Sequence, residues 1–183
     1  MTMLRLFFAL QPNAVENAAL VERASPWVSR LKAQRVPAEN LHATLCFIGA
    51  VAEEKLDLLK SVAAGIRGRQ ATLRFDALEF WQKPRVLCAT ATEDSAALPA
   101  RELAERLASA SVDAGFAPDI KPFRAHVTLA RKVDPRRAQE CDWPRFFTAP
   151  LPVHCERFAL MRSDRGESGS IYSVVASWPL DGI

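Results

Sequence analysis

Two strings of the same form, His42 to Leu45 and His126 to Leu129, constrain what this chain can fold into more than any other feature. Both read H-x-T-L and both are flanked by apolar residues, which is typical of β-strands. Successive side chains of a strand point to opposite faces, so each string places a histidine and a threonine together on one face. The second histidine follows the first by 84 residues in a chain of 183. That spacing predicts two similar halves that face each other across a cleft.

Composition excludes several classes of protein. With 49% hydrophobic residues, a chain of this length can bury a sizeable core, so we exclude a disordered protein. Lysine and arginine number 24 against 21 aspartate and glutamate, so the overall charge does not indicate a nucleic-acid binder. There is no run of eighteen apolar residues, which excludes a membrane-spanning helix, and no signal peptide is recognised at the N-terminus. The four cysteines lack metal or redox spacing, and we interpret them as reduced thiols of a cytoplasmic protein.

The apolar pattern along the chain predicts a mixture of strands and helices. Besides the two histidine strands, we expect five further strands, at residues 4–10, 73–80, 85–90, 153–160 and 171–178. We expect amphipathic helices at residues 14–34, 53–67 and 95–114, and a short helix from Asp134. Pro26 should either kink the first helix or divide it in two, and Gly115 should end the third. A charged loop at residues 162–169 should join the last two strands.

These elements repeat in kind, which predicts an internal duplication. Residues 4–10 correspond to 85–90, His42 to His126, and residues 73–80 to 153–160, all at offsets close to 80. The expected fold class is therefore α+β: two pseudo-symmetric lobes of mainly antiparallel sheet, with helices outside and a central cleft. We expect residues 1–183 to form a single bilobal domain.

The paired histidines favour acid–base chemistry. Imidazole titrates near neutrality, so one histidine can donate a proton while the other accepts one, and displacement at phosphorus needs both on opposite sides of the phosphate. Thr44 and Thr128 could hydrogen-bond the non-bridging phosphate oxygens. Two structural histidines are the alternative, but the paired context favours a site. A metal site is the other alternative, and it is disfavoured because neither motif has a Cys, His or carboxylate at ligand spacing.

Other residues near the motifs are weaker candidates. Arg131 should point away from His126 in an ideal strand, and could reach the cleft only from the strand end or past a bulge. Lys132 points the same way as His126 but lies farther along the strand. The loop at 162–169 could contact substrate through charge, and Phe123 could stack on a base or pack in the core. His154 has no threonine two residues on, and we interpret it as structural.

The chain resembles the two-histidine phosphoesterase superfamily, and within it the RNA 2',3'-cyclic phosphodiesterases, also called 2'-5' RNA ligases. The resemblance extends over nearly the whole chain and lies in five blocks: residues 5–10, 40–49, 84–87, 123–131 and 172–180. Ala125, Ala43 and Cys88 depart from the family's usual residues, which affects the expected substrate preference more than the reaction class.

The resemblance implies hydrolysis of an RNA-terminal 2',3'-cyclic phosphate to a 2'-phosphomonoester, without metal or cofactor. It implies that His42 is the proton donor and His126 the proton acceptor, roles that the residues alone leave open. Thr44, Thr128 and Arg131 would bind substrate. The expected partners are RNA ends or nucleotides with a cyclic phosphate, and tRNA fragments, with no membrane; we expect a monomer. Two alternatives remain: a 2'-5' ligase that joins tRNA halves, and an RNA- or nucleotide-binding module without turnover.

Overall fold

The computed structural model describes residues 2–166 and 169–182, and these residues form an α+β fold. Within them, nine strands, four α-helices and two short 3-10 helices follow one another along the chain. The strands are β1 (Met3–Leu10), β2 (Gln34–Arg35), β3 (Ala43–Ala52), β4 (Ala71–Trp81), β5 (Val86–Ala91), β6 (His126–Arg131), β7 (Arg145–Cys155), β8 (Arg157–Gly166) and β9 (Gly169–Pro179). The helices are α1 (Ala14–Arg30), α2 (Leu56–Ala64), α3 (Leu98–Asp113) and α4 (Pro135–Gln139).

The strands form two antiparallel sheets, as the fold class predicted. The first sheet has the order β3-β1-β8-β9, and the second has the order β2-β6-β5-β4-β7. All pairings between these strands are antiparallel. The order β3-β1-β8-β9 matches β6-β5-β4-β7 strand for strand, so the two sheets are pseudo-symmetric. His42 directly precedes β3, the edge strand of the first sheet, and His126 begins β6, the strand next to the edge of the second.

The two halves of the chain are interleaved rather than placed one in each sheet. β4 comes from the first half but pairs with β5 in the second sheet, whereas β8 and β9 come from the end of the chain and complete the first sheet. The helices cross over in the same way: α1 packs on β5, β6 and β7, and α3 packs on β3. Each half of the chain therefore contributes strands to both sheets.

One predicted strand is wrong. The pattern over residues 153–160 suggested a continuous strand, but Glu156 separates β7 from β8, and these two strands belong to different sheets. The true counterpart of β4 is β8 (Arg157–Gly166). Most of the expected loop at 162–169 belongs to strands instead, because β8 continues to Gly166 and β9 begins at Gly169. Glu167 and Ser168, which belong to that expected loop, lie outside the described residues.

The predicted helices are confirmed, and local chemistry explains their ends. α1 is one helix with Pro26 inside it, and it begins with a capping box between Asn13 and Glu16. The buried Glu16 carboxylate also accepts a hydrogen bond from the His154 backbone at 2.8 Å, which ties α1 to β7. α3 has Pro99 in its first turn and is followed by Gly115, whose φ of +82° suits the glycine that follows a helix.

Apolar side chains from both sheets and the helices form one large core on the helix side of the sheets. A smaller apolar cluster of Phe7, Ala9, Ala159, Met161 and Tyr172 lies on the first sheet apart from that core. Within the described part of the chain, no helix combines the length and the apolar character that a bilayer crossing requires.

Candidate active site

The two histidines are held in the same way. The His42 ring Nδ1 lies 2.7 Å from the Asn40 carbonyl oxygen, and the His126 ring Nδ1 lies 2.8 Å from the Arg124 carbonyl oxygen. A carbonyl oxygen can only accept, so Nδ1 carries the proton in both rings. In each neutral imidazole, Nε2 is then the free atom that can accept a proton or, once protonated, donate one.

The two threonines lie where the alternation of the strands places them. Thr44 and Thr128 are half-buried, and their strand neighbours Ala43, Leu45, Val127 and Leu129 are buried in the core. Thr128 Oγ1 lies 3.8 Å from the Cys88 sulfur on the adjacent strand. The structure therefore places a half-buried histidine and a half-buried threonine on the same side of both histidine strands.

A bulge brings Arg131 to the histidine side of β6. The register of β6 against β5 shifts between the partners of Leu87 and Cys88, so that one residue of β6, Leu129, is left unpaired. Ala130 is buried beside Leu129, and Arg131 is half-buried. The Arg131 guanidinium donates a hydrogen bond to the Tyr172 hydroxyl at 3.0 Å and is close enough to lower the pKa of His42.

The same bulge overturns the expectation for Lys132. Ideal alternation placed Lys132 rather than Arg131 on the side of His126. Because the bulge adds one residue, Arg131 takes that side, and Lys132 lies exposed just beyond the strand with a φ of +53°. Arg131 therefore lies on the histidine side of β6 because of a bulge, which is one of the two ways that the sequence analysis considered.

Two aromatic rings, those of Phe7 and Tyr172, pack against the His42 ring. The His42 ring centre is 4.8 Å from that of Phe7 and 4.9 Å from that of Tyr172, which meets it edge-on. Burial among these rings, together with the positive charges of Arg131 and of His126, lowers the pKa of His42 to about 4. The Asn40 carbonyl acts in the opposite direction but is weaker than the effect of burial.

His126 has a more polar neighbourhood. The ring of Trp81 lies 4.5 Å from the His126 ring, and the Arg124 guanidinium lies 5.3 Å from the Trp81 ring centre. Burial lowers the pKa of His126, and the Arg124 charge adds to this effect. The Arg124 carbonyl and the Glu79 carboxylate both act to raise it.

Glu79 holds the surroundings of His126 together. Its carboxylate accepts hydrogen bonds from Trp81 Nε1 at 3.0 Å, from Thr90 Oγ1 at 3.1 Å and from the Arg124 guanidinium at 2.6 and 2.8 Å. Burial alone would raise the pKa of Glu79, but these donors lower it overall. The carboxylate therefore stays ionised beside His126 and fixes the Trp81 and Arg124 side chains.

Several of these neighbours were not identified from the sequence. Glu79, Trp81, Tyr172 and Phe7 lie far from either motif along the chain, so spacing gave no signal for them. The offset of 84 residues could have found one more position. Phe47 stands five residues after His42, as Arg131 stands five residues after His126, and Phe47 is 47% exposed on the corresponding bulged strand.

The remaining candidates differ in position: Ser163 and Arg165 of the predicted substrate loop line a cavity with Arg131 and Tyr172 beside His42, whereas His154 and Phe123 do not line it. His154 is exposed on β7, where its ring Nδ1 lies 3.3 Å from Thr72 Oγ1. Phe123 is partly buried and packs against the large core. In the predicted substrate loop, Arg162 forms an ion pair with Asp164, with 2.8 Å between Nη2 and Oδ1.

The cysteines and the possible metal ligands were also located. All four cysteines are buried and free, and burial raises the pKa of Cys46 to about 11 and that of Cys88 to about 12. These thiols are therefore poor nucleophiles at neutral pH. Among the residues that the structure describes, no three His, Cys, Asp or Glu side chains come together in a group that could hold a metal ion.

Fold and site together define a protein of the two-histidine type, in which duplicated antiparallel sheets each carry one H-x-T motif. The family model of the 2'-5' RNA ligase superfamily matches residues 12–167. The chain belongs to that superfamily.

Characterised relatives and solved structures are similar over most of the chain. The RNA 2',3'-cyclic phosphodiesterase of Escherichia coli K12 is 32% identical over 69% of this chain and 71% of its own. The protein of the same name from Thermus thermophilus is 31% identical over 98% of this chain and 91% of its own. The crystal structure of E. coli LigT without ligand superposes with a TM-score of 0.83 at 26% identity, covering 98% of this chain and 99% of LigT. LigT has also been crystallised with 3'-AMP, with the same coverage and TM-score.

Proposed function

We propose that this protein hydrolyses the 2',3'-cyclic phosphate at the end of an RNA to a 2'-phosphomonoester. Two relatives above 30% identity are named RNA 2',3'-cyclic phosphodiesterase, and one of these alignments spans 98% of this chain. LigT, whose fold superposes on this one, has been crystallised with 3'-AMP, which supports a nucleotide as the ligand.

The observation that carries the proposal is the matched hydrogen bonding of the two imidazoles. In both rings Nδ1 donates to a backbone carbonyl, which leaves Nε2 of His42 and of His126 for proton transfer. Hydrolysis of a cyclic phosphate needs one group to activate water and another to protonate the departing ribose oxygen on the opposite side of phosphorus. Two histidines from facing strands meet that requirement.

We assign His42 as the proton donor and His126 as the proton acceptor. In the free protein the pKa of His42 is about 4, so its ring is mostly neutral at pH 7. A bound cyclic phosphate adds a negative charge beside the ring, and such a charge raises the pKa of a histidine. Substrate binding therefore favours the protonated form of His42, which takes its proton from solvent, whereas His126 is neutral in the free protein and ready to accept.

Three further residues position the phosphate in this proposal. The hydroxyls of Thr44 and Thr128 hydrogen-bond its non-bridging oxygens from the two sides, and the Arg131 guanidinium balances the charge that builds up during displacement. Tyr172 accepts a hydrogen bond from Arg131 and so orients it. We further propose that the protein acts in the cytoplasm as a monomeric, single bilobal domain and takes RNA ends, including tRNA fragments, as substrates.

Product analysis with one nucleoside 2',3'-cyclic phosphate tests the reaction. The protein is incubated with the substrate and a metal chelator, and the products are separated by chromatography against 2'- and 3'-monophosphate standards. We expect the 2'-monophosphate. Release of the 3'-monophosphate would contradict the assignment, and unchanged nucleotide recovered after tight binding would indicate a binding module.

The description of the superfamily as 2'-5' RNA ligases favours one second activity, the joining of RNA ends. Incubation with tRNA halves that end in a cyclic phosphate and a 5'-hydroxyl would reveal a 2'-5' linkage, which resists nucleases specific for 3'-5' bonds. We expect hydrolysis to exceed joining, because water is present at far higher concentration than a 5'-hydroxyl.

A further inference from the structure

A large cavity lies beside the histidine site. Its volume is about 520 Å³, and it lies between β2, the start of β5, the end of β6 and the start of β9. Four cationic side chains line it: Arg35, Arg85, Arg131 and Lys132. The described lining includes no aspartate or glutamate.

These four cations are not neutralised by the described residues around them. No ion pair between the described residues includes Arg35, Arg85, Arg131 or Lys132. Arg35 donates to Ser25 Oγ at 3.0 Å, Arg85 donates to the Val133 carbonyl at 3.0 Å, and Arg131 donates to the Tyr172 hydroxyl. All of these acceptors are uncharged. Four like charges around one cavity repel each other, and a bound anion would relieve that repulsion.

The wall of the cavity is a fixed structure rather than a loose surface. Arg85 and Lys132 both have left-handed backbone conformations, with φ of +67° and +53°, which cost energy in residues other than glycine. Two hydrogen bonds join their segments: Val133 N donates to the Arg85 carbonyl at 3.1 Å, and Arg85 Nε donates to the Val133 carbonyl. The strained backbone is thus held in place where it positions two of the cations.

The cavity is continuous with the proposed catalytic site. Arg131 and Tyr172 line the cavity and also lie beside His42. Asn40, whose carbonyl orients the His42 ring, is a third shared residue. A ligand whose cyclic phosphate lies at the histidines can therefore extend directly into the cationic cavity.

We propose that this cavity binds the phosphodiester that precedes the terminal nucleoside of the substrate RNA. The proposal rests on the proposed function, because it takes the cyclic phosphate end to lie at the two histidines. It identifies the preferred substrate as an RNA end of at least two nucleotides, and it makes Arg35 and Lys132 specificity determinants that do not take part in the chemistry.

Three substrates separate this charge recognition from other effects of length. They are a nucleoside 2',3'-cyclic phosphate, a dinucleotide with the same cyclic end, and that dinucleotide with an uncharged methylphosphonate linkage. We expect kcat/KM for the charged dinucleotide to exceed that for the mononucleotide by about tenfold, since a contact between a cation and phosphate is worth about one order of magnitude. The methylphosphonate dinucleotide should lose most of this advantage.

Variants then locate the recognition. In R35Q/K132Q the preference for the charged dinucleotide should fall by about tenfold, and the dependence of kcat/KM on salt should weaken by roughly one unit of slope for each lost phosphate contact. R35K keeps the charge and should keep the preference. K55Q removes a cation that is exposed and lines none of the cavities described, and it should leave the preference unchanged.

The outcomes distinguish the two proposals. Equal kcat/KM for the charged and methylphosphonate dinucleotides would overturn the cavity assignment while leaving cyclic phosphate hydrolysis intact. If no substrate is hydrolysed, the proposed function fails. The cavity is then tested by calorimetric binding of a dinucleotide with a 2'-phosphate, where R35Q/K132Q must weaken binding if the assignment holds. Loss of inhibition by inorganic phosphate in the variant, without loss of dinucleotide preference, would show a site for free anions and overturn the assignment to RNA.

Discussion

The two halves of the candidate site share a backbone design but differ in what surrounds it. On both sides a histidine is held by the carbonyl two residues before it, and a threonine follows two residues later. Around His42 the neighbours are the aromatic rings of Phe7 and Tyr172, whereas around His126 they are Trp81 and the ion pair of Arg124 with Glu79. Duplication explains the shared frame, and the neighbours explain how two identical side chains can take different roles.

The position five residues after each histidine gives the clearest difference. It is Phe47 after His42 and Arg131 after His126, and a bulge in each strand lies just before it. One side therefore presents an exposed ring to the cleft and the other a guanidinium. The cation is on the His126 strand but acts on His42, whose pKa it lowers. His42 is thus influenced by a charge that the strand of the other histidine supplies.

The largest expected effect is loss of either histidine. H42A and H126A should each lower kcat for a nucleoside 2',3'-cyclic phosphate by about 10² to 10⁴, the range for a general acid or base. Circular dichroism should show that both variants remain folded.

A substrate with sulfur in place of the 3'-oxygen then distinguishes the two roles. Its leaving group needs no proton, so H42A should recover most of its activity while H126A should not. Recovery in H126A instead would reverse the assignment of donor and acceptor.

Next in size is the contrast between Arg131 and Phe47. R131A should lower kcat/KM by about 10², because a donor aimed at developing charge is worth roughly that much. F47A should lower it by less than about threefold and should cost about 1 kcal/mol of stability through the lost contact with Phe7, whose ring centre is 5.6 Å away. Steady-state kinetics and thermal unfolding measure the two effects. Equal losses of activity would mean that the two positions contribute alike.

The pH profile of kcat/KM should report the pKa values of both histidines. kcat/KM reports the pKa values of the free enzyme, here about 4 for His42 and below the usual 6.5 for His126. Activity needs one ring protonated and the other neutral, so it should peak between these values and fall about tenfold per pH unit on either side. Initial rates from about pH 2.5 to about pH 9 span both limbs and provide the test. A maximum above about pH 7 would contradict the lowered pKa values.

The smallest expected effect is that of removing the Glu79 charge, measured on the pH profile. The Glu79 charge raises the pKa of His126, so E79Q should lower that pKa and move the upper limb of the pH profile to lower pH, by less than about one unit. The rate at the optimum should change only a few-fold. D76N, which changes a half-buried carboxylate on the same strand, is the matched control and should leave that limb in place.

Much of this architecture follows from the sequence because periodic patterns report local structure. The three longer helices, the two histidine strands and the antiparallel α+β class were predicted from spacing alone. The break at Glu156 was not, because apolar residues continue on both sides of it and pattern alone cannot show that the chain changes sheets. The interleaving of the two halves was missed for the same reason, since strand pairing depends on contacts far apart in sequence.

The candidate site likewise contains some residues that the sequence pattern identifies and others that it does not. The histidines and threonines could be found because a strand alternates regularly. Whether Arg131 reached their side depended on the bulge at Leu129, which changes the alternation by one residue and leaves no clear mark in the sequence. Glu79 and Trp81 come from a different strand, so only the folded chain brings them to His126.

The interleaved sheets also set an order of assembly during synthesis. Four neighbouring strands of the second sheet, β4 to β7, lie within residues 71–155, so they are complete before the last strands leave the ribosome. β1 is made first but waits for β8, at residues 157–166, to pair along its second edge. Until then the nascent chain carries an open strand edge beside the apolar Phe7, the kind of surface that chaperones protect. Phe7 and Tyr172, which pack against His42, therefore belong to the part of the fold that is completed last.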